Sequence, residues 1–158
     1  MKELDFVLEL NGAVIGNIMY TKAKLTDEAG NEKETLTFGP VCILPDYQRI
    51  GYGKLLMEHS FQKAVQLGYD TIVIFGSPVN YGSRGFKSCR KYNVCVEDGK
   101  YPAAMMVKEL IPMCLTGTPG CIRTARLWQS VKKRRHVSMR SWSRWRRNIC
   151  QVRRNFTL

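Results

Sequence analysis

Two closely spaced glycines, Gly51 and Gly53, lie in the run Pro45-Asp46-Tyr47-Gln48-Arg49-Ile50-Gly51-Tyr52-Gly53-Lys54-Leu55-Leu56, between the cations Arg49 and Lys54. Residues of these types suit the binding of an anion. A glycine has no Cβ, so a ligand can come close to its backbone and positive φ costs little. The first amides of a helix have no partner within it and sit at the positive end of its dipole. With a strand-like run before the turn and a helix-like run after it, bare N–H groups would converge on a phosphate or pyrophosphate. The turn is not a P-loop, since G-x-x-x-x-G-K-[ST] is absent. Nor is it the dinucleotide fingerprint, whose third glycine would fall at Leu56. A second candidate stretch, Ser77-Pro78-Val79-Asn80-Tyr81-Gly82-Ser83-Arg84-Gly85-Phe86-Lys87, follows an apolar strand-like run. Ligands of open α/β sheets gather at the carboxyl ends of such strands.

Patterning supplies the elements around both stretches. Residues 4–10 read as a strand, Asn11-Gly12 as a two-residue hairpin, and residues 13–23 as the return strand. Residues 26–34 form a polar loop around Gly30, and residues 35–44 a third strand, in which Pro40 predicts a bulge or broken edge. A helix is predicted over residues 53–67. Leu56, Met57, Ser60, Phe61, Ala64 and Leu67 lie on one face, and Lys54, Glu58, Gln62, Lys63 and Gln66 on the other. His59 falls on the polar side and reads as a solvated histidine, with Gly68 as the C-cap. Residues 69–76 are a continuous apolar strand. Strand, helix and strand at this spacing predict a right-handed crossover between parallel strands. Residues 89–97 and 103–110 read as two further strands, joined at Asp98-Gly99-Lys100.

Composition narrows the function classes. A chain of 158 residues suits one domain with a core. No apolar run is long enough for a transmembrane helix, and the acidic start, Met1-Lys2-Glu3-Leu4-Asp5, lacks an apolar signal region, so a cytoplasmic protein is expected. The 6 cysteines are scattered without C-x-x-C and there are 2 histidines, which predicts reduced thiols, no disulfide framework and no metal site. The net charge of +12 is unevenly placed: residues 1–112 hold 13 Lys and Arg against 13 Asp and Glu, whereas residues 113–158 hold 12 basic residues and no acid.

The order Gln48-x-x-Gly51-x-Gly53 after a strand ending in Leu44-Pro45, with Tyr81-x-x-x-Gly85-Phe86 downstream, resembles the GNAT superfamily of N-acetyltransferases over roughly residues 4–110. The resemblance implies an α/β fold (an α+β mixed sheet) of the acyl-CoA N-acyltransferase type: antiparallel N-terminal strands, then a β-α-β crossover. It implies acetyl-CoA as co-substrate, its pyrophosphate held chiefly by the main-chain amides of Arg49, Ile50, Gly51, Tyr52, Gly53 and Lys54. Val41, Cys42 and Ile43 would align the pantetheine and thioester, one N–H meeting the oxyanion, and Asn80 would also contact the cofactor. Tyr81 would be the catalytic acid that protonates the departing thiolate, a role a phenol of pKa near 10 can fill. The residues alone leave open a loop tyrosine bonded to backbone. Tyr47 reads as packing at the turn, Gly85 as permitting a bend, and Phe86 as core. Asp46 and Glu58 are candidate bases only by proximity, and solvated carboxylates near a helix terminus on their placement. The implied acceptor is a small-molecule or peptide amine.

The chain departs from the family pattern in other places. GNAT domains usually carry another strand and one or two helices ahead of the segment that begins here at Asp5, forming one wall of the amine pocket. The chain therefore reads as truncated at its start, and acetyl-CoA binding without turnover is one outcome. An incomplete sheet edge would invite pairing with another chain, a homodimer being one outcome. Residues 113–158 read as a separate, poorly ordered tail that contains Trp128, Trp142 and Trp145. Two readings stand: a nucleic-acid-binding arm that pairs phosphates with Arg and Lys and stacks bases on indoles, or a stretch read out of frame after codon 113. The abrupt change of composition at Ile111-Pro112-Met113 favours the second.

Overall fold

The computed structural model describes residues 2–115 and 122–125. Strand β1 (Asp5–Leu10) turns into β2 (Ala13–Thr26) through Asn11 and Gly12, whose φ values of 50° and 77° are the left-handed pair that a two-residue hairpin needs to match strand twist. β2 then pairs antiparallel with β3 (Glu32–Ile43), so the polar loop is shorter than residues 26–34. Lys24 meets Glu32, and Lys22 lies 3.3 Å from Glu34. These diagonal cross-strand charges carry the ladder past the point where apolar alternation stops. The bulge expected at Pro40 is present. Ile18 pairs with Val41 and Tyr20 with Phe38, leaving Gly39 and Pro40 together opposite Met19, because proline has no N–H to give the ladder.

Helix α1 (Tyr52–Gln66) buries Leu56, Met57, Ser60, Phe61 and Ala64, the predicted face but for its last member. Leu67 is 46% exposed, because the helix has already ended. Gly68 turns left-handed, its N–H bonding Val65 O, while Tyr69 N–H returns to Ala64 O. The solvated placement of His59 is also corrected. Its ring stands 5.3 Å from Phe6, edge to face and half-buried, because β1 reaches over that side of the helix.

β4 (Thr71–Phe75) lies parallel to β3, and its other edge pairs with β7 (Met105–Glu109). Between them run the short helix α2 (Pro78–Tyr81), β5 (Lys87–Ser88) and β6 (Val94–Cys95). Residues 89–97 are thus not one strand. Cys89–Tyr92 is a 3-10 turn closed by Asn93 at φ 54°, and its apolar residues answer to burial rather than to a ladder. With β8 (Ile122–Ala125) the sheet runs β5-β7-β4-β3-β2-β8-β6, and β1 also pairs with β2.

Alternation sends neighbouring residues to opposite faces. Ile72, Ile74 and Met106 join Leu36, Phe38 and the buried side of α1, whereas Val73, Met105 and Val107 join Cys89, Val94 and Leu115. Each large apolar side chain so buried contributes roughly 1.5–3 kcal/mol. Leu115 and β8 fall beyond residue 112, within the stretch read as a tail; Trp128, Trp142, Trp145 and the nucleic-acid reading lie outside the described residues. Cys42, Cys89 and Cys114 are free, but Cys95 is disulfide-bonded, which corrects the expectation of reduced thiols throughout.

Candidate active site

β3 and β4, being parallel, deliver both candidate stretches to the same end of the sheet. They pair at Leu36↔Ile72. At the next inward positions, Phe38 and Ile74, the described residues of the two strands do not pair. There the ring of Phe38 lies 5.9 Å from that of Tyr81 and 6.0 Å from that of Phe86.

The glycine turn leaves the end of β3 through a single 3-10 turn, Pro45–Tyr47. Gln48 Nε2 then reaches back to donate to the Ile43 carbonyl at 2.8 Å, tying the turn to the strand. Arg49 and Gly51 take φ of 64° and 105°, and Gly51 caps α1 without a side-chain bond. A glycine suits such a φ, which strains any residue with a Cβ. The first helical bond runs from Leu55 N–H to Gly51 O at 3.0 Å, so the amides of Tyr52, Gly53 and Lys54 precede it in the uncapped first turn. A Cβ placed on Gly51 would meet nothing within 4 Å, so the space beside the turn is open. Ile50 is 66% exposed and Arg49 is also exposed, leaving the backbone as the constant feature. Lys54 lies 3.7 Å from Glu58, and both are exposed. That pairing and the exposed position of Asp46 match the reading of both acids as solvated carboxylates. Tyr47 packs its ring 6.1 Å from that of Tyr52, as its placement at the turn predicts.

Tyr81 ends α2 and is half-buried, its ring 5.7 Å from that of Phe86. A Cβ on Gly76 would stand 2.6 Å from Cδ2 of Tyr81, so the ring lies directly against that glycine. Burial, and then the charge of neighbouring Cys42, raise the phenol above its ordinary range. The Cys42 thiol is itself raised by burial. Such an environment keeps a phenol protonated, as an acid must be. Phe86 is 1% exposed and in the core, as predicted. Asn80 stands exposed on α2, one residue before the tyrosine.

Val41, Cys42 and Ile43 end β3 beside this cluster, all partly buried, with Val41 and Ile43 packed on the main core. One end of the sheet therefore carries an uncapped glycine turn, a strand terminus and a phenol held in its neutral form by burial. Sequence reasoning missed the roles of Gly76 and Phe38, which hold the phenol by contact. The signal for Gly76 was a glycine closing an apolar strand directly ahead of the tyrosine turn.

A sequence profile of the acetyltransferase (GNAT) family matches residues 2–88. A curated relative, the uncharacterized N-acetyltransferase YjhQ of Escherichia coli, is 25% identical over 130 residues, covering 75% of this chain and 68% of the relative. The crystal structure of the GNAT family N-acetyltransferase YhbS from Escherichia coli, in complex with CoA, superposes with a TM-score of 0.61 at 21% identity, over 73% of this chain and 62% of that one. A GNAT family acetyltransferase from Brucella melitensis, in complex with acetyl-CoA, gives 0.50 at 25% identity, over 65% and 55%. The chain thus spans less than two thirds of either solved relative. The profile takes in the hairpin, the glycine turn, α1, β4 and the tyrosine turn, so this chain belongs to the acetyltransferase (GNAT) family.

Proposed function

We propose that this protein transfers the acetyl group of acetyl-CoA to a primary amine. Family membership supports the reaction, and the bound CoA and acetyl-CoA of the two solved relatives support the co-substrate. The observation that carries the reading is the open, uncapped turn of residues 49–54 at the same sheet end as a half-buried, protonated Tyr81. In this reading the amides and cations of that turn hold the pyrophosphate. The terminus of β3, residues 41–43, aligns the pantetheine and offers an N–H to the oxyanion. The amine attacks the thioester carbonyl carbon, a C–N bond forms, and the C–S bond breaks. Tyr81 gives its proton to the departing thiolate, while the amine loses its own to water. In the same reading Asn80, exposed one residue before the phenol, would meet the cofactor. No observation among the described residues favours the nucleic-acid reading.

Acetyl-CoA titration calorimetry and a thiol-release assay over a panel of amines test the proposal. The full chain and a chain ending at Ala125 are compared, the cut lying past β8 because Leu115 and β8 are built into the domain. Both chains are expected to bind acetyl-CoA, with thiol release on one class of amine. Binding without turnover on any amine would reduce the protein to a cofactor-binding domain. Salt-sensitive nucleic-acid binding lost with the cut, and no acetyl-CoA binding, would overturn the proposal.

A further inference from the structure

Lys108 stands on β7 among aromatic rings, on the face of the sheet that packs against α1. Its Nζ lies 5.2 Å over the Phe61 ring and 6.0 Å over the Phe86 ring, and donates to the Arg84 carbonyl at 2.9 Å. The ammonium reaches that carbonyl across Gly85, where a Cβ would stand 2.6 Å from Nζ. The side chain is half-buried. Burial lowers the pKa of the amine, the charge of Glu58 opposes this, and that of Lys87 adds to it. A methionine or leucine would fill the place without desolvating a charge. What the cation alone supplies is a bond into the turn that follows Tyr81 and attraction to two ring faces.

We propose that Lys108 is a positioning residue for Tyr81, fixing the turn of residues 82–86 so that the phenol keeps its place between β3 and β4. The inference rests on the transferase reading of Tyr81. The path is short: Lys108 holds the Arg84 carbonyl and the face of Phe86. Phe86 in turn donates its N–H to Tyr81 O at 3.3 Å and sets its ring 5.7 Å from the phenol. No bond on this path involves the glycine turn, so Lys108 acts on turnover and not on cofactor affinity.

The test uses the full chain with Lys108→Met and Lys108→Arg, alone and combined with Tyr81→Phe. Turnover, acetyl-CoA affinity and the ring signal of Tyr81 in 13C-tyrosine-labelled protein are measured, the signal being assigned by its loss in Tyr81→Phe. Lys108→Met is expected to lower kcat about ten- to a hundredfold, as small misplacements of a reacting group do, and to shift the ring signal. Acetyl-CoA affinity stays within about twofold, and Lys108→Arg, which keeps a cationic donor over the two rings, retains most of kcat. In the Tyr81→Phe background the methionine substitution adds nothing further. A lowered melting temperature with kcat and ring signal unchanged, or losses that simply add, would overturn the inference. If the unmutated protein turns over no amine, the transferase reading fails by itself. The ring signal still decides on positioning: moved by Lys108→Met it sustains the placement, unmoved it ends it.

Discussion

The turns that follow β3 and β4 stand at one end of the sheet but are built in opposite ways. In the proposed reading, the groups that matter in residues 48–54 are main-chain amides. The side chains of Arg49, Ile50 and Lys54 point into solvent, and the conformation rests on the φ of Gly51 and the Gln48 tether. In residues 77–86 the proposed reading turns on one phenol, packed by Gly76, Phe38 and Phe86. A site made of backbone tolerates side-chain changes and fails when a dihedral is forbidden. A site made of one side chain fails when that group is removed or its packing shifts. Binding and turnover should therefore come apart under mutation.

The widest separation is expected from Tyr81→Phe. Removing the proposed general acid should lower kcat by about 10²- to 10⁴-fold, while calorimetry finds acetyl-CoA affinity unchanged. The pH profile sharpens this. Burial raises the phenol, so its neutral, donating form persists to higher pH than in a free tyrosine. The fall in rate from loss of the acid should then be centred above the free tyrosine's value of about pH 10, and be absent in Tyr81→Phe. A fall centred well below that pH, unaltered in Tyr81→Phe, would place the titrating acid elsewhere.

Gly51→Val should show the reverse split. A β-branched residue at φ 105° is strained, and a cost of about 1–2 kcal/mol corresponds to roughly tenfold weaker acetyl-CoA binding. The control is Ile50→Ala, beside it: an exposed side chain on a turn whose amides do the binding should matter little in the same titration. If the alanine variant weakens binding as much as the valine one, the backbone account of the turn is wrong.

This contrast also explains what could be read in advance. The glycine turn is legible because its requirements are local: the φ of Gly51 and the helix start are properties of adjacent residues. The hairpin at Asn11-Gly12 and the bulge at Pro40 are legible for the same reason. Misreadings arose where a distant segment decides. His59 reads as solvated until β1 is known to lay Phe6 against it. Residues 89–97 carry apolar residues enough for a strand, but the 3-10 turn Cys89–Tyr92 and the two-residue β6 divide them, with Cys89 and Val94 buried against the second face of the sheet. The clasp on Cys114 shows the same dependence: Lys33 donates to its carbonyl at 2.9 Å from 81 positions earlier in the chain. The position of Tyr81 belongs to this second kind. A motif names the residue, but Gly76 and Phe86 pack against it from elsewhere in the fold.

Gly76→Ala tests that placement without touching the phenol. Its new Cβ would overlap the Tyr81 ring, with Cδ2 2.6 Å away, so the ring must turn or slide. The expected result is a loss of about tenfold in kcat, with a smaller change in acetyl-CoA affinity. A loss confined to affinity would mean that the glycine serves the cofactor directly.

The smallest effect is expected at the tether. Gln48 donates to Ile43 O at 2.8 Å from an exposed position. A neutral, solvent-accessible hydrogen bond contributes about 0.5–1.5 kcal/mol at most. Gln48→Ala should therefore weaken acetyl-CoA binding only about two- to threefold, with kcat unchanged, because the φ of Gly51 still shapes the turn without it. The size of the loss discriminates between two ways in which the residue could act. If the side chain let go of Ile43 and met the pyrophosphate itself, its removal would take a direct ligand from an anion, and the loss would exceed tenfold. A loss of that size in Gln48→Ala would mean that the turn binds through a side chain as well as its backbone, and the contrast between the two turns would narrow.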